Sequence, residues 1–94
     1  MSPKTDYKAL VNQGAEIMDV RTKGEFASGH IKGSKNIPLN TLNSNLKHFK
    51  DKEKAYLLCC ASGMRSGSAK SILKSNGYSN VYNAGSWQSL KNKL

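Results

Sequence analysis

The run Ala-Tyr-Leu-Leu-Cys at residues 55–59 is continuously apolar, with lysines before it and small polar residues after it. Such a short, bounded run is typical of a strand that is buried on both faces, as the strands of parallel sheets are. A parallel sheet is covered by helices, which the chain between its strands must supply. The run therefore predicts an α/β domain built around one buried central strand.

The segments on either side of this strand alternate between short strands and helices, as a mostly parallel sheet requires. Thr22 and Glu25 have the spacing of a capping box, which begins a helix directly after a strand, and Gly77 is placed to end the clearest helix. The other predicted strands are 15–20, 33–38 and 80–83. The predicted helices are 5–11, 22–29, 40–49, 66–76 and a closing helix packed by Trp87, Leu90 and Leu94.

Length and cysteine content limit the class of protein. The 94 residues predict one domain over residues 1–94. No apolar run approaches the ~18 residues of a membrane span, and the N-terminus lacks the apolar stretch of a secretion signal. Cys59 and Cys60 are adjacent, so they cannot form a disulfide framework between distant segments. We therefore expect a cytoplasmic protein that does not bind membranes.

The charge balance is strongly basic, with 15 Lys and Arg against six Asp and Glu. All acidic residues precede position 54, so the later part of the chain carries basic residues alone. Such a field attracts anions, although scattered lysines also serve solubility alone. The lysines form no dense run and no aromatic residues interleave with them, so the sequence does not favour nucleic acid as a partner.

A cysteine, a loop of small residues, an arginine and a helix follow the central strand directly, as Cys60-Ala61-Ser62-Gly63-Met64-Arg65-Ser66. Ligands of open parallel sheets bind at the carboxyl ends of strands. Gly63 allows the loop to curl with its amides inward, where they and the helix N-terminus attract an anion. Arg65 and the helix field favour the Cys60 thiolate, which is the nucleophilic form. The arrangement predicts a cysteine nucleophile that needs no histidine base.

Cys59 and Cys60 are predicted to have different roles, because side chains alternate between the two faces of a strand. If Cys60 faces the centre of the loop, Cys59 packs in the core. A free cysteine is otherwise most often a small buried hydrophobe, but a core position needs neither a curled loop nor an arginine. The two cysteines with His30 and His48 match no usual zinc spacing, and we expect no metal.

The segment Cys60 to Arg65 resembles the active-site loop of the single-domain rhodanese-type sulfurtransferases. Further segments resemble recurring parts of that family in the expected order: Asp19-Val20-Arg21, Glu25-Phe26, Gly29-His30-Ile31, the stretch from Gly33 to Leu39, and Gly85 with Trp87. The resemblance covers about seventy residues. It implies a small rhodanese-like fold, with a mostly parallel sheet of about five strands, helices on both faces, and the loop at the carboxyl edge of the sheet.

The resemblance also implies a reaction. The Cys60 thiolate attacks the sulfane sulfur of a small anionic donor such as thiosulfate, releases sulfite and becomes a persulfide. A thiol or another thiophilic acceptor, which can be a protein, then removes the terminal sulfur. The loop from Ala61 to Ser66 would hold the anionic persulfide and stabilise charge during the transfer. No cofactor is implied, and we expect a monomer or a weak homodimer.

Asp19, Arg21 and Glu25 are interpreted as supporting residues, with opposite charges that brace the turn after a strand. His30 is interpreted as a structural histidine. Two departures from the family pattern stand out. Ala61 occupies a position where many thiosulfate-using members carry arginine or another polar residue, and Asn83-Ala84-Gly85 replaces a pair of glycines. We interpret the second departure as a modest adjustment of a turn.

Two alternatives remain open. Phosphatases and arsenate reductases of related fold also use a cysteine in an anion-binding loop, but they place five residues between the cysteine and the arginine. This chain has four, residues 61–64, and the smaller ring fits a sulfur atom better than a phosphate. The other alternative is a persulfide carrier or an interaction module that serves a protein partner without turnover.

Overall fold

The structure is a computed structural model that describes residues 5–94. It contains one sheet of four parallel strands in the order β2-β1-β3-β4. The strands are β1 (Glu16–Asp19), β2 (Lys35–Asn36), β3 (Tyr56–Cys60) and β4 (Val81–Ser86). All residues of β3 are buried, which confirms the central strand that its apolar run predicted.

The expectation of about five strands is met only approximately, because the described chain forms four. The helix predicted over 5–11 is found at Tyr7–Asn12, where the Asp6 side chain accepts a hydrogen bond from the amide of Ala9 and caps it. The strand expected at 33–38 is reduced to Lys35–Asn36. Pro38, which cannot donate to a strand ladder, follows it closely. The first four residues of the predicted domain 1–94 lie outside the described residues.

Helices cover both faces of the sheet, as expected. They are α1 (Tyr7–Asn12), α2 (Lys23–Ser28), a 3₁₀ helix (Leu39–His48), α3 (Met64–Ser75) and α4 (Trp87–Asn92). Leu58 and Cys60 pack into the core cluster that includes the 3₁₀ helix and α3, whereas Leu57 and Cys59 pack into the cluster on the α1 and α4 side. The alternation along β3 therefore sends the two cysteines to opposite faces. Within residues 5–94, no helix has the length and apolar composition of a membrane span.

Two helices differ from the sequence prediction for local reasons. The helix predicted from Ser66 begins earlier, at Met64, because Gly63 has a φ of +100° and turns the chain into the helix directly after the loop. The helix predicted over 40–49 is a 3₁₀ helix with a kink at Asn45. Thr41 and Asn45 donate side-chain hydrogen bonds to backbone carbonyls in this segment, which competes with regular helical bonding.

A buried ion pair stands at the carboxyl end of β1. The Arg21 guanidinium lies 2.7 Å from the Asp19 carboxylate, and both side chains are at most 5% exposed. The same guanidinium donates to the carbonyl of Gly29 at 2.7 Å and lies 4.7 Å over the ring of Trp87. The pair therefore joins the end of β1 to the end of α2 and to the start of α4.

We predict that Asp19→Asn lowers the free energy of unfolding by about 3–5 kcal/mol, because it leaves the Arg21 charge buried without its anionic partner. The matched control is Glu16→Gln, which removes the same charge from a half-exposed pair with Lys35. Exposed pairs contribute only about 0–1 kcal/mol. Urea unfolding of the three proteins measures both changes, and equal losses in the two variants would contradict the role given to the buried pair.

Candidate active site

The Cys60 sulfur lies at the carboxyl end of β3 and is fully buried at the base of the loop formed by residues 61–63. The amide of Gly63 donates a hydrogen bond to this sulfur at 3.0 Å, and the Ser66 hydroxyl lies 3.4 Å from it. Gly63 meets two requirements at once. Its φ of +100° disfavours other residues, and a Cβ at this position would lie 3.3 Å from the Cα of Gly85.

The environment of Cys60 favours the thiolate. Burial of the sulfur raises the pKa of Cys60, but hydrogen bonding at Ser66 and from the amides of Ser62 and Gly63 outweighs this effect, so the pKa lies below the ordinary value of a cysteine. Cys59 has the opposite environment, since burial and the nearby Asp19 carboxylate raise the pKa of its thiol to about 12. Of the two adjacent cysteines, only Cys60 is therefore prepared to act as a nucleophile near neutral pH.

Arg65 is held by Glu25. Its guanidinium makes two hydrogen bonds to the carboxylate, of 2.6 and 2.9 Å, across the space between α2 and α3. These bonds, with one from the Thr22 amide, lower the pKa of Glu25 to about 2. Glu25 thus supports the start of α3. The charge of Arg65 still interacts with Cys60, while the largest favourable contributions at the sulfur come from Ser66 and from the loop amides of Ser62 and Gly63.

The remaining predicted residues occupy distinct positions around this centre. Asp19 and Arg21 form the buried pair described above, one strand away from Cys60. Ala61 and Ser62 are exposed on the loop, and Met64 is 80% exposed at the first residue of α3. His30 stacks on Phe26 and its Nδ1 lies 2.8 Å from the Phe26 carbonyl oxygen, so it is engaged locally just after the end of α2. Arg65 also lines an apolar depression of about 270 Å³ formed with Val20, Thr22, Pro38, Leu39 and Asn40.

Asn83 belongs to this site, although the sequence interpretation gave its segment only a turn adjustment. Its Nδ2 donates to the carbonyl of Gly63 at 3.0 Å, and its Oδ1 accepts the Ser66 hydroxyl at 2.6 Å. The sequence carries only an indirect signal for it. An asparagine stands inside the strand-like run Val81-Tyr82-Asn83-Ala84, and in the sheet it is paired with Leu58, two residues before Cys60.

The fold and the site define a small parallel α/β protein whose best-placed nucleophile is a cysteine in an amide-lined loop after the central strand. The family of the rhodanese-like domain matches residues 3–93, and the chain belongs to this family. Among residues 5–94, no three His, Cys, Asp or Glu side chains come together as metal ligands do.

Comparisons with individual proteins agree with this assignment. The thiosulfate sulfurtransferase GlpE of Pseudomonas fluorescens is 34% identical over 83 residues, which are 85% of this chain and 72% of that protein. The uncharacterized protein YqhL of Bacillus subtilis is 39% identical over 69 residues, which are 73% of this chain and 54% of YqhL. This chain therefore spans only about half the length of YqhL. The crystal structure of a rhodanese-like domain protein from Staphylococcus aureus superimposes with a TM-score of 0.77 and 34% identity, covering 88% of this chain and 82% of that one.

The Glu25–Arg65 pair predicts a specific loss of stability in acid. A carboxylate whose pKa is lowered to about 2 in the folded protein stabilises the fold above its unfolded pKa, which is about 4.3 for glutamate, and this contribution disappears as the pH falls through about 2. We predict that Glu25→Gln unfolds at a lower temperature than the parent protein at pH 6, and that the difference shrinks toward zero as the pH approaches 2. Thermal unfolding from pH 6 to pH 2.5 measures it.

The control for this series is Glu53→Gln, which removes an exposed carboxylate for which no side-chain hydrogen bond is found within residues 5–94. We expect its unfolding temperature to follow the parent protein at every pH. A constant difference between Glu25→Gln and the parent down to pH 2.5 would contradict the ion pair.

Proposed function

We propose that the protein is a sulfurtransferase that moves a sulfane sulfur from a small anionic donor such as thiosulfate to a thiophilic acceptor through a persulfide on Cys60. The observation that carries the proposal is the Cys60 sulfur at the carboxyl end of β3, with the Gly63 amide donating to it at 3.0 Å. Membership in the rhodanese-like family and similarity to a protein named thiosulfate sulfurtransferase support the same class of reaction.

The first step is a displacement at sulfur. The Cys60 thiolate attacks the outer sulfur of the donor, a new S–S bond forms, and the old S–S bond breaks with its electron pair leaving on sulfite. The donor and the persulfide are both anionic, so the positive field of the loop amides and of the N-terminus of α3 stabilises charge before and after the transfer. In the second step the acceptor attacks the terminal sulfur, and Cys60 leaves as a thiolate.

Arg65 has a supporting electrostatic role in this mechanism. Its charge favours the Cys60 thiolate, but the Glu25 carboxylate 2.6 Å away offsets much of that charge. The amides of Ser62, Gly63 and Ser66 therefore supply most of the stabilisation. The donor is assigned on the similarity to thiosulfate sulfurtransferases, and Ala61 supplies no additional charge for it.

The second candidate function is a persulfide carrier that is loaded and unloaded by protein partners without turnover on small molecules. Met64, 80% exposed at the first residue of α3, offers such a partner a flexible apolar contact next to the loop. Rapid transfer of sulfur from thiosulfate to cyanide would select the enzyme. Stoichiometric loading of Cys60 without turnover would select the carrier.

We predict that incubation with thiosulfate adds one sulfur atom to the protein, that a reductant removes it, and that Cys60→Ser abolishes both the added mass and the transfer to cyanide. Cys59→Ser is the matched control, because it changes the same atom one residue away on the opposite face of β3. It should keep most of the activity and lose stability, since its side chain is buried in the core. Loss of loading in Cys59→Ser with full loading in Cys60→Ser would reverse the assignment.

We further predict opposite effects from breaking the Arg65–Glu25 pair on either side. Arg65→Ala removes a positive charge near the sulfur and should raise the pKa of Cys60 by roughly 0.2–0.7 unit, whereas Glu25→Gln leaves the Arg65 charge unneutralised and should lower it by a similar amount. The rate of alkylation by iodoacetamide as a function of pH measures the pKa of the thiol. Identical titration curves for the parent protein and both variants would remove Arg65 from the mechanism.

A further inference from the structure

Asn83 has an amide orientation that its neighbours determine. The amide nitrogen of Gly85 donates to Oδ1 at 3.1 Å, and the carbonyl oxygen of Gly63 accepts from Nδ2 at 3.0 Å. A flipped amide would place an oxygen against the Gly63 carbonyl oxygen and an NH₂ group against the Gly85 N–H, and both contacts are repulsive. Oδ1 is therefore the atom that faces Ser66, and it can only accept a hydrogen bond.

The Ser66 hydroxyl lies between Asn83 and Cys60 and carries a single proton. Its Oγ is 2.6 Å from Asn83 Oδ1 and 3.4 Å from Cys60 Sγ, and the side chain is fully buried. Because Oδ1 has no proton to give, the short contact requires Ser66 to donate its proton to Asn83. The lone pairs of Oγ then face the sulfur, where they can accept from a thiol and cannot donate to a thiolate.

We propose that Asn83 is a positioning residue that holds the Ser66 hydroxyl proton away from Cys60, so that the thiolate is stabilised by this hydroxyl only after the O–H turns from Asn83 to the sulfur. The proposal rests on the proposed function in taking the Cys60 thiolate as the working nucleophile. Loss of the thiol proton to solvent and rotation of the Ser66 hydroxyl then form one coupled step. The reverse rotation accompanies return to the resting thiol.

The other groups that act on the sulfur do not change in this step. The Gly63 amide of the loop donates to the sulfur in either state. Arg65 on α3 contributes an attraction that Glu25 on α2 offsets, and Cys59 on the same strand stays protonated near neutral pH. The Asp19 carboxylate on β1 is bound to Arg21. The Ser66 hydroxyl is thus the group near Cys60 whose contribution depends on which of two acceptors holds its proton.

Removing Asn83 should therefore make the nucleophile more acidic. Asn83→Ala frees the Ser66 hydroxyl to donate to the thiolate, and the gain of one hydrogen bond lowers the pKa of Cys60 by about half to one unit. The same substitution also deprives the Gly63 carbonyl of its partner and can loosen the loop. A loosened loop raises the pKa, because the Gly63 amide becomes less well directed at the sulfur.

A double-mutant cycle separates these two effects. The parent protein, Asn83→Ala, Ser66→Ala and the double variant are titrated with iodoacetamide, and the rate of labelling at Cys60 is followed by intact mass from pH 5 to pH 10. If Asn83→Ala changes the pKa of Cys60 by loosening the loop, it does so both in the protein with Ser66 and in the Ser66→Ala variant. If it acts through the hydroxyl, it changes the pKa only where Ser66 is present. We expect the pKa shift caused by Asn83→Ala to be more negative by about half to one unit when Ser66 is present than when it is absent. Equal shifts in the two backgrounds, or a difference of opposite sign, would overturn the proposal.

Thermal unfolding establishes that each variant is folded before it is titrated. If Asn83→Ala does not fold, Ser66→Ala alone decides the question. A hydroxyl whose proton is committed to Asn83 adds little to the thiolate, so its removal should raise the pKa of Cys60 by less than about half a unit. A rise of about one unit or more, the effect of deleting a full hydrogen bond to a charged group, would overturn the proposal.

The readout keeps this proposal separate from the proposed function, because alkylation detects the thiolate whether or not sulfur is transferred. If the pKa shifts differ as expected but thiosulfate adds no sulfur to the protein, the proposed sulfurtransferase function is refuted and the role of Asn83 stands. If thiosulfate adds sulfur normally but the pKa shifts are equal with and without Ser66, only the role of Asn83 is refuted.

Discussion

The buried contact between Asp19 and Arg21 is the interaction on which the carboxyl edge of the sheet depends. Arg21 reaches the carbonyls of Gly29 and Glu25 and lies over Trp87, so one guanidinium joins β1, α2 and α4. Glu25 is positioned by the same contacts and in turn holds Arg65. The start of α3, and with it the loop around Cys60, is therefore braced from a residue one strand away. The two side chains of a buried ion pair can move little relative to each other, because separating them leaves each charge in the protein interior without its partner and without water.

This rigidity explains how a fully buried sulfur can favour its charged form. Desolvation opposes the thiolate at this fully buried position. Backbone amides compensate only if they are aimed at the sulfur in advance, which Gly63 achieves through a backbone conformation with a positive φ. The full charge of Arg65 is directed at Glu25 instead. The thiolate is consequently stabilised by dipoles at short range more than by a net positive charge at long range.

The elements with an unmistakable local pattern could be predicted from the sequence, and those that depend on partners in space could not. The apolar run of β3 and the capping box of Thr22 and Glu25 are local, and both are found where expected. The kinked 3₁₀ helix was predicted as a regular helix, because the competing side-chain bonds of Thr41 and Asn45 are decided by packing. The cysteine loop could be predicted from its own residues. The role of Asn83 could not, since it depends on a contact with Gly63, a residue 20 positions away in the sequence.

The irregular pairing of β3 with β4 is what brings this last residue into the site. The register shifts between Leu58 and Cys60, and Gly85 has a φ of +80° at the same level. A regular ladder would continue past Asn83 with side chains strictly alternating between the two faces. The irregularity instead lets β4 approach the loop so closely that a Cβ on Gly63 would meet the backbone of Gly85 at 3.3 Å. Bulges next to functional sites commonly redirect a side chain in this way. The segment Asn83-Ala84-Gly85 is therefore part of the wall of the cysteine loop, and Asn83 supplies hydrogen bonds within that wall.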